Sequence, residues 1–220
     1  MADRLPVSCI SVLAGTNGAG KSSVGGAFLR KKGGKYFNPD EATRRISSLN
    51  PDMPSDEANS LAWHQGRQLL ERAIEGRLDF AFETTLGGRT ITSLLEKASA
   101  AGIELRMWYV GLRDPEMHIA RVKSRVARGG HDIPSESIRQ RFVQSRLNLI
   151  RLLPQLTELW LYDNSDDADP ATGHPPTPKL ILHSLLGKIR KTTNLSTVPA
   201  WAKPILTVAL KIAESKRKRR

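Results

Sequence analysis

A single cysteine, Cys9, stands in 220 residues, so no intrachain disulfide can form. That excludes a disulfide-framed fold and fits a reducing cytoplasm. No apolar run approaches the roughly 18 residues of a membrane span. The N-terminal MADRLPVSCI shows no signal-peptide pattern, because its apolar run is short and leads straight into glycines. No second His or Cys stands at ligand spacing from His131, so its pairing with Asp132 reads as loop-ordering rather than metal-binding. There is no internal repeat. Acid is scarce at the C-terminal end: from Leu186 onward ten Lys/Arg face Glu214 alone and supply +9 of the net +12. That end reads as a solvated basic tail, or as a contact for nucleic acid, an anionic membrane surface or an acidic partner. With 39% hydrophobic and 25% charged residues, the chain has the composition of a soluble globular protein and room for one α/β domain with a sizeable core.

Gly15, four residues, then Gly20, Lys21 and Ser22 match the phosphate-loop spacing G-x-x-x-x-G-K-[ST]. The preceding PVSCISVLAG is an apolar, β-leaning run, and the following GKSSVGGAFLRKK reads as a helix. A strand, a glycine-rich turn and a helix N-terminus together aim backbone N–H groups at an anion. Gly15, Thr16, Asn17, Gly18, Ala19, Gly20, Lys21, Ser22 and Ser23 are therefore the candidate nucleotide-binding residues, with Lys21 reaching the β- and γ-phosphates and the Ser22 hydroxyl available to Mg²⁺. A motor or switch would want a strand ending in an acidic pair, which is absent. No base-recognition motif separates ATP from GTP.

Strand and helix patterns alternate for about 165 residues. They predict an α/β, P-loop NTPase-type three-layer sandwich with a mostly parallel central sheet and helices on both faces. KYFNPD reads as a strand ending at Asn38 and LDFAFETTL as a third strand. Ser55 and Ser135 read as N-caps, and Asp114–Pro115 as a cap and first-turn residue. SDDADPATGHPPTP is an acidic, proline-rich loop. KLILH reads as one more strand at a sheet edge, and the end of the chain as a basic helix.

In an α/β sheet the functional groups gather at the carboxyl ends of the strands. Asp40, just after the second strand, can serve there as the base that phosphoryl transfer requires, or simply cap a helix. Glu83, Thr84 and Thr85 end the third strand, suited to a polyol or sugar acceptor or to Mg²⁺ through water, and Arg89 follows for an anionic part of the acceptor. Arg121, Arg125 and Arg128 form a basic cluster before Gly129–Gly130, suited to a closing lid that delivers guanidinium charge. Arg139, Arg141 and Arg146 read mostly as surface charges. Trp63, Trp108 and Trp160 read as core or pocket walls.

The order GTNGAGKSS, NPDEA, FETTL, RVKSRVARGGHDIPSESIRQRF, LYDNS resembles the zeta toxin family of P-loop kinases from about Val7 to Ser165. The resemblance implies transfer of the γ-phosphate of ATP or GTP to the 3′-hydroxyl of the sugar in UDP-N-acetylglucosamine, and an antitoxin partner. It implies Lys21 and Ser22 on nucleotide and Mg²⁺, Asp40 as catalytic base, and Glu83, Thr85 and Arg89 on the acceptor. Arg121 would stabilise the transferring phosphate, with Arg125, Arg128 or His131 at the second phosphate-binding position. The segment ETTLGGRT is longer between acid and arginine than the toxin pattern. The implied organisation is a kinase domain over 1–165, a loop with an edge strand over 166–185 and a basic helical extension over 186–220. Transfer to nucleic-acid ends through the basic tail, and a non-catalytic nucleotide-dependent interaction module, are the competing readings.

Overall fold

The computed structural model describes residues 7–22, 24, 36–166 and 177–218. The helix expected after the loop falls outside them, apart from Lys21, Ser22 and Val24; so do Ser23 and most of the acidic, proline-rich loop.

Seven strands make one sheet. They are β1 (Cys9–Ala14), β2 (Tyr36–Phe37), β3 (Phe80–Thr84), β4 (Glu104–Gly111), β5 (Glu158–Asp163), β6 (Lys179–Leu185) and β7 (Lys188–Thr192), in the order β2-β3-β1-β4-β5-β6-β7. β1 to β5 pair in parallel, and β6 and β7 add antiparallel. The helices are α1 (Pro39–Leu49), α2 (Ser55–Glu75), α3 (Arg89–Ala100), α4 (Pro115–Val126), α5 (Ser135–Leu152) and α6 (Lys203–Lys218). The protein is thus an α/β fold on a mostly parallel sheet.

The central strands are apolar on both sides because both are covered, as parallel sheets require. Ile10, Val12 and Ala14 of β1 join Leu70 and Ile74 of α2, Leu95 of α3, Leu149 and Leu152 of α5 and Ile205 and Leu206 of α6 in one core. On the opposite side Leu13, Ala19, Trp108 and Val110 pack with Val24 and Trp160. Trp108 and Trp160 stack across β4 and β5 at 4.5 Å between ring centroids.

Local chemistry sets the helix starts near the loop. Asn38 caps α1 by accepting from the backbone N–H groups of Asp40 (2.9 Å) and Glu41, and Pro39 fills the first turn, where no N–H is needed. Asp114 caps α4 by accepting from Met117 N–H at 2.8 Å, as expected. Ser55 and Ser135 differ from expectation: each is the first helical residue after a proline and makes no side-chain cap.

The C-terminal segment also differs. KLILH is not the sheet edge, because KIRKT beyond it forms β7. Exposed lysines and an arginine on this outermost strand suit an edge that must not pair with another chain. Trp201, before α6, donates from Nε1 to Asp163 Oδ1 at 3.0 Å and packs its ring against Gly111, where there is no room for a Cβ. The segment after residue 186 is therefore built into the main core rather than trailing from it.

The basic end has a definite place. Glu158 at the start of β5 pairs with Leu185, and Lys216 Nζ donates to Leu186 O at 2.9 Å. Lys188 and the end of α6 thus gather at the amino ends of the parallel strands, about 20 Å of strand length from their carboxyl ends at about 3.3 Å per residue.

Candidate active site

The phosphate loop is shaped by close backbone contacts. Gly15 has φ +141°, and a Cβ there would lie 2.1 Å from Val110 O of β4. Gly18 has φ +79°, and a Cβ would meet His118 O at 2.7 Å. No other residue fits either position, which is the physical content of the glycine spacing. Asn164, after β5, donates from Nδ2 to Ala19 O at 2.9 Å and holds the loop from the other side.

The register places an acid against this loop. Leu13 pairs with Glu83 and Ala14 with Thr84, so β3 ends where the loop begins. Glu83 is buried there, with Lys21 Nζ 3.4 Å from its Oε1 and Ser22 Oγ 3.3 Å from its Oε2. Tyr36 of β2 donates its hydroxyl to the same Oε2. Glu83 therefore meets the loop while also lining the cavity beside it. Ser22 and Glu83 offer the hard oxygen donors that Mg²⁺ accepts beside phosphates and water, so the donor set fits that ion.

Beside the loop lies a cavity of about 520 Å³, bounded by Asn17, Phe37, Asp40, Glu83, Thr84, Thr85 and Arg141 near the loop. Asp56, Asn59, Ser60, Trp63 and Arg67 of α2 and residues 131–134 form its far wall. Asp40 sits at the second position of α1 with an exposed carboxylate, 3.3 Å from Arg125 Nη1. The segment after Gly130 is tied across to α2: His131 Nε2 accepts from Asn59 Nδ2 at 3.0 Å, and Ser55 Oγ lies 3.4 Å from Nδ1. Asn59 Oδ1 in turn accepts from Thr43 at 3.1 Å.

The expected arginines distribute unevenly. Arg125 pairs with Asp40 and donates to His131 O at 2.8 Å. Arg121 donates to Asn164 O and Asp166 O at 2.9 and 3.0 Å, which stitches the segment after β5 to α4 beside the loop. Arg128, just past the end of α4, folds back onto Ser124 of that helix and is exposed. Arg89 is exposed at the start of α3. Among the described residues, Arg89, Arg121 and Arg128 do not line the cavity.

Arg141 does line it. It donates from Nη1 to Asn17 Oδ1 at 2.9 Å. A signal for it exists in the sequence: Ile138, Arg141, Ser145, Asn148 and Leu152 recur at helical spacing, and in the fold all but Arg141 are buried. A charged residue on a buried stripe is a departure to be explained, whereas Arg139 is exposed and paired with Glu116.

His118 of α4 escapes a sequence reading. It is buried, and its Nδ1 donates to Asn17 O at 2.7 Å, since a carbonyl can only accept. Burial pushes its pKa down from 6.5 to about 4, against that hydrogen bond and with help from Lys21 and Arg121. The unfolded chain takes up this proton near 6.5 and the folded chain only near 4, so between them the unfolded state binds more protons and stability falls as pH falls. The expected loss from this group is roughly 3 kcal/mol between those pH values. Denaturant melts at several pH values check it: His118→Asn, which keeps a donor for Asn17 O, should lack that part of the slope.

Comparison with known proteins gives the family and the fold. The chain is 30% identical over 128 residues to an uncharacterized protein of Haemophilus influenzae, covering 58% of this chain and 88% of that one. Its fold matches the structure of AvrRxo1-ORF1:-ORF2 with ATP at a TM-score of 0.63 and 16% identity, over 92% of this chain but 64% of the other. It also matches the PezAT toxin–antitoxin system of Streptococcus pneumoniae at a TM-score of 0.57 and 14% identity, over 97% of this chain and 88% of the other. The zeta toxin family model matches residues 3–166, a span that takes in the phosphate loop, Asp40, Glu83 and the segment tied across the cavity. With three quarters of its length matched and the phosphate loop opening onto that cavity, the chain belongs to the zeta toxin family.

Proposed function

We propose that the protein is a phosphotransferase that moves the γ-phosphate of ATP or GTP to a hydroxyl of a small-molecule acceptor. The observation that carries this reading is the cavity beside the phosphate loop, whose lining includes both Asp40 and Glu83. A volume of about 520 Å³ suits a metabolite. Residues 15–22 hold the nucleotide, with Lys21 on its terminal phosphates. Ser22 and Glu83 hold Mg²⁺, which neutralises charge on the phosphates when bound. The acceptor hydroxyl enters between Asp40 and the γ-phosphorus, oriented by Thr84 and Thr85. Its oxygen forms the new bond to phosphorus, the bond from that phosphorus to the β–γ bridging oxygen breaks, and the hydroxyl proton passes to the Asp40 carboxylate. The nucleoside diphosphate leaves.

Family membership supports UDP-N-acetylglucosamine as the first acceptor to test. The far wall supports a nucleotide sugar on its own terms, because Trp63 offers an exposed ring, with the Arg67 guanidinium 5.9 Å from its centroid. The toxin–antitoxin neighbour supports an antitoxin partner. The basic end of the chain lies at the opposite end of the sheet from the loop, which favours a small acceptor over a nucleic-acid end.

The test is transfer itself. Purified protein with ATP and Mg²⁺ is incubated with UDP-N-acetylglucosamine and, separately, with a cell metabolite extract, and products are read by mass spectrometry. A phosphate-mass gain that Lys21→Ala abolishes is the expected result. A gain on another metabolite alone renames the acceptor, and no gain on any metabolite overturns the reading.

A further inference from the structure

The hairpin that joins β6 to β7 carries a residue its own turn does not favour. Leu186 and Gly187 form a two-residue turn with φ +52° and +72°, both in the left-handed region. Such a turn takes Asn-Gly or Asp-Gly, because a leucine is strained at positive φ. Leu186 nevertheless stands there with 59% of its surface exposed, so burial does not explain it. Its backbone is fixed from both sides: the N–H donates to Thr157 O at 2.7 Å, and the carbonyl accepts from Lys216 Nζ at 2.9 Å. The side chain is thereby held out at the tip of the hairpin. Cations surround that tip. Lys188 follows the turn, Lys216 lies against it, and Arg217 and Lys218 end α6 beside it; all four are exposed. Among the described residues none of the four makes an ion pair. Protection of a sheet edge accounts for Lys188 and Arg190 on β7, but not for three cations on a helix, nor for an exposed leucine among them.

We propose that this tip docks on an anionic lipid surface, with Leu186 entering the headgroup region and the four cations meeting lipid phosphates. The apolar tip is what favours lipid over nucleic acid, whose backbone would engage the cations and leave the leucine in water. Position agrees: the tip lies at the amino ends of the parallel strands, opposite the phosphate loop, so the docked protein keeps its cavity open to the aqueous side. One leucine is a weak anchor alone, and the cations add roughly fivefold in partitioning each. The attachment is therefore reversible and weakened by salt. It is peripheral, since no helix among the described residues is long and apolar enough to cross a membrane. It requires no phosphoryl transfer, and none of its residues lines the cavity.

The experiment mixes the full chain, at physiological ionic strength, with vesicles of phosphatidylcholine alone or of phosphatidylcholine and phosphatidylglycerol in equal parts. Binding is read by co-sedimentation. The expected result is binding to the mixed vesicles only, falling as salt is added. Arg217→Gln with Lys218→Gln should lower it roughly 25-fold. Leu186→Asn should lower it about tenfold, while the melting temperature holds or rises, because asparagine tolerates positive φ better than leucine. A leucine with a merely structural role would not give that combination. Absence of binding to the mixed vesicles overturns the proposal, and so does equal binding by Leu186→Asn and the wild type. Binding to a DNA duplex in place of the mixed vesicles, unchanged in Leu186→Asn, also overturns it and assigns the cations to nucleic acid.

Discussion

Replacing Asp40 by asparagine is expected to lower transfer about 10²- to 10⁴-fold, the range for loss of a positioned general base, while ATP affinity stays within about twofold. The side chain keeps its shape and can still accept from Arg125, which lies 3.3 Å away. The α1 start is untouched, because Asn38 rather than Asp40 caps it. What disappears is the capacity to take a proton from a hydroxyl. The Asp40–Arg125 pair is exposed, with 62% and 36% of the two side chains open, and such pairs are worth about 0–1 kcal/mol. The melting temperature should therefore barely move. Rate, ATP titration and thermal melt together separate a base from a structural carboxylate: full transfer activity in Asp40→Asn would remove Asp40 from the chemistry.

Glu83→Gln should have the second large effect, and it acts on two states of the protein in opposite directions. Without nucleotide, Lys21 is 7% exposed and its charge is met by Glu83 at 3.4 Å. The glutamine can still accept from Tyr36 and Ser22, but it leaves a buried ammonium unpaired. Removing one partner of such a pair costs about 3 kcal/mol, read as a lower melting temperature of the nucleotide-free protein. ATP brings the missing negative charge to Lys21, so it should stabilise the variant more than the wild type. In the absence of divalent ions, ATP should also bind the variant more tightly, since the phosphates no longer face a carboxylate. Transfer with Mg²⁺ should fall about 10²- to 10³-fold, as expected when charge stabilisation at the phosphates is lost. If Glu83→Gln keeps Mg²⁺-stimulated transfer and instead raises KM for the acceptor, Glu83 belongs to the acceptor side, as the family resemblance implies.

Much of the molecule follows from spacing along the chain. The glycines of the phosphate loop are legible because each meets a local demand on φ and on close approach. Asn38–Pro39 and Asp114–Pro115 are legible because a cap acts over two or three residues. The buried strands β1, β3, β4 and β5 are legible as apolar runs. Less visible is KIRKT: its alternation is masked by lysines and an arginine that suit an edge, and only pairing with β6 makes it a strand. Ser55 looks like a cap, yet a proline precedes it and its hydroxyl faces His131 instead.

The sequence by itself determined the phosphate loop, the mostly parallel α/β order and the acids at the strand ends, because those depend on dihedral preference and on periods of two and 3.6 residues. Only the tertiary structure decided which way the functional side chains turn. Glu83 meets Lys21 because β1 and β3 pair with Leu13 opposite Glu83. Arg141 reaches Asn17 across 124 residues of sequence because α5 packs its buried stripe against the sheet. No local propensity carries that information; it resides in register and in the rotation of a packed helix, both settled when the core closes.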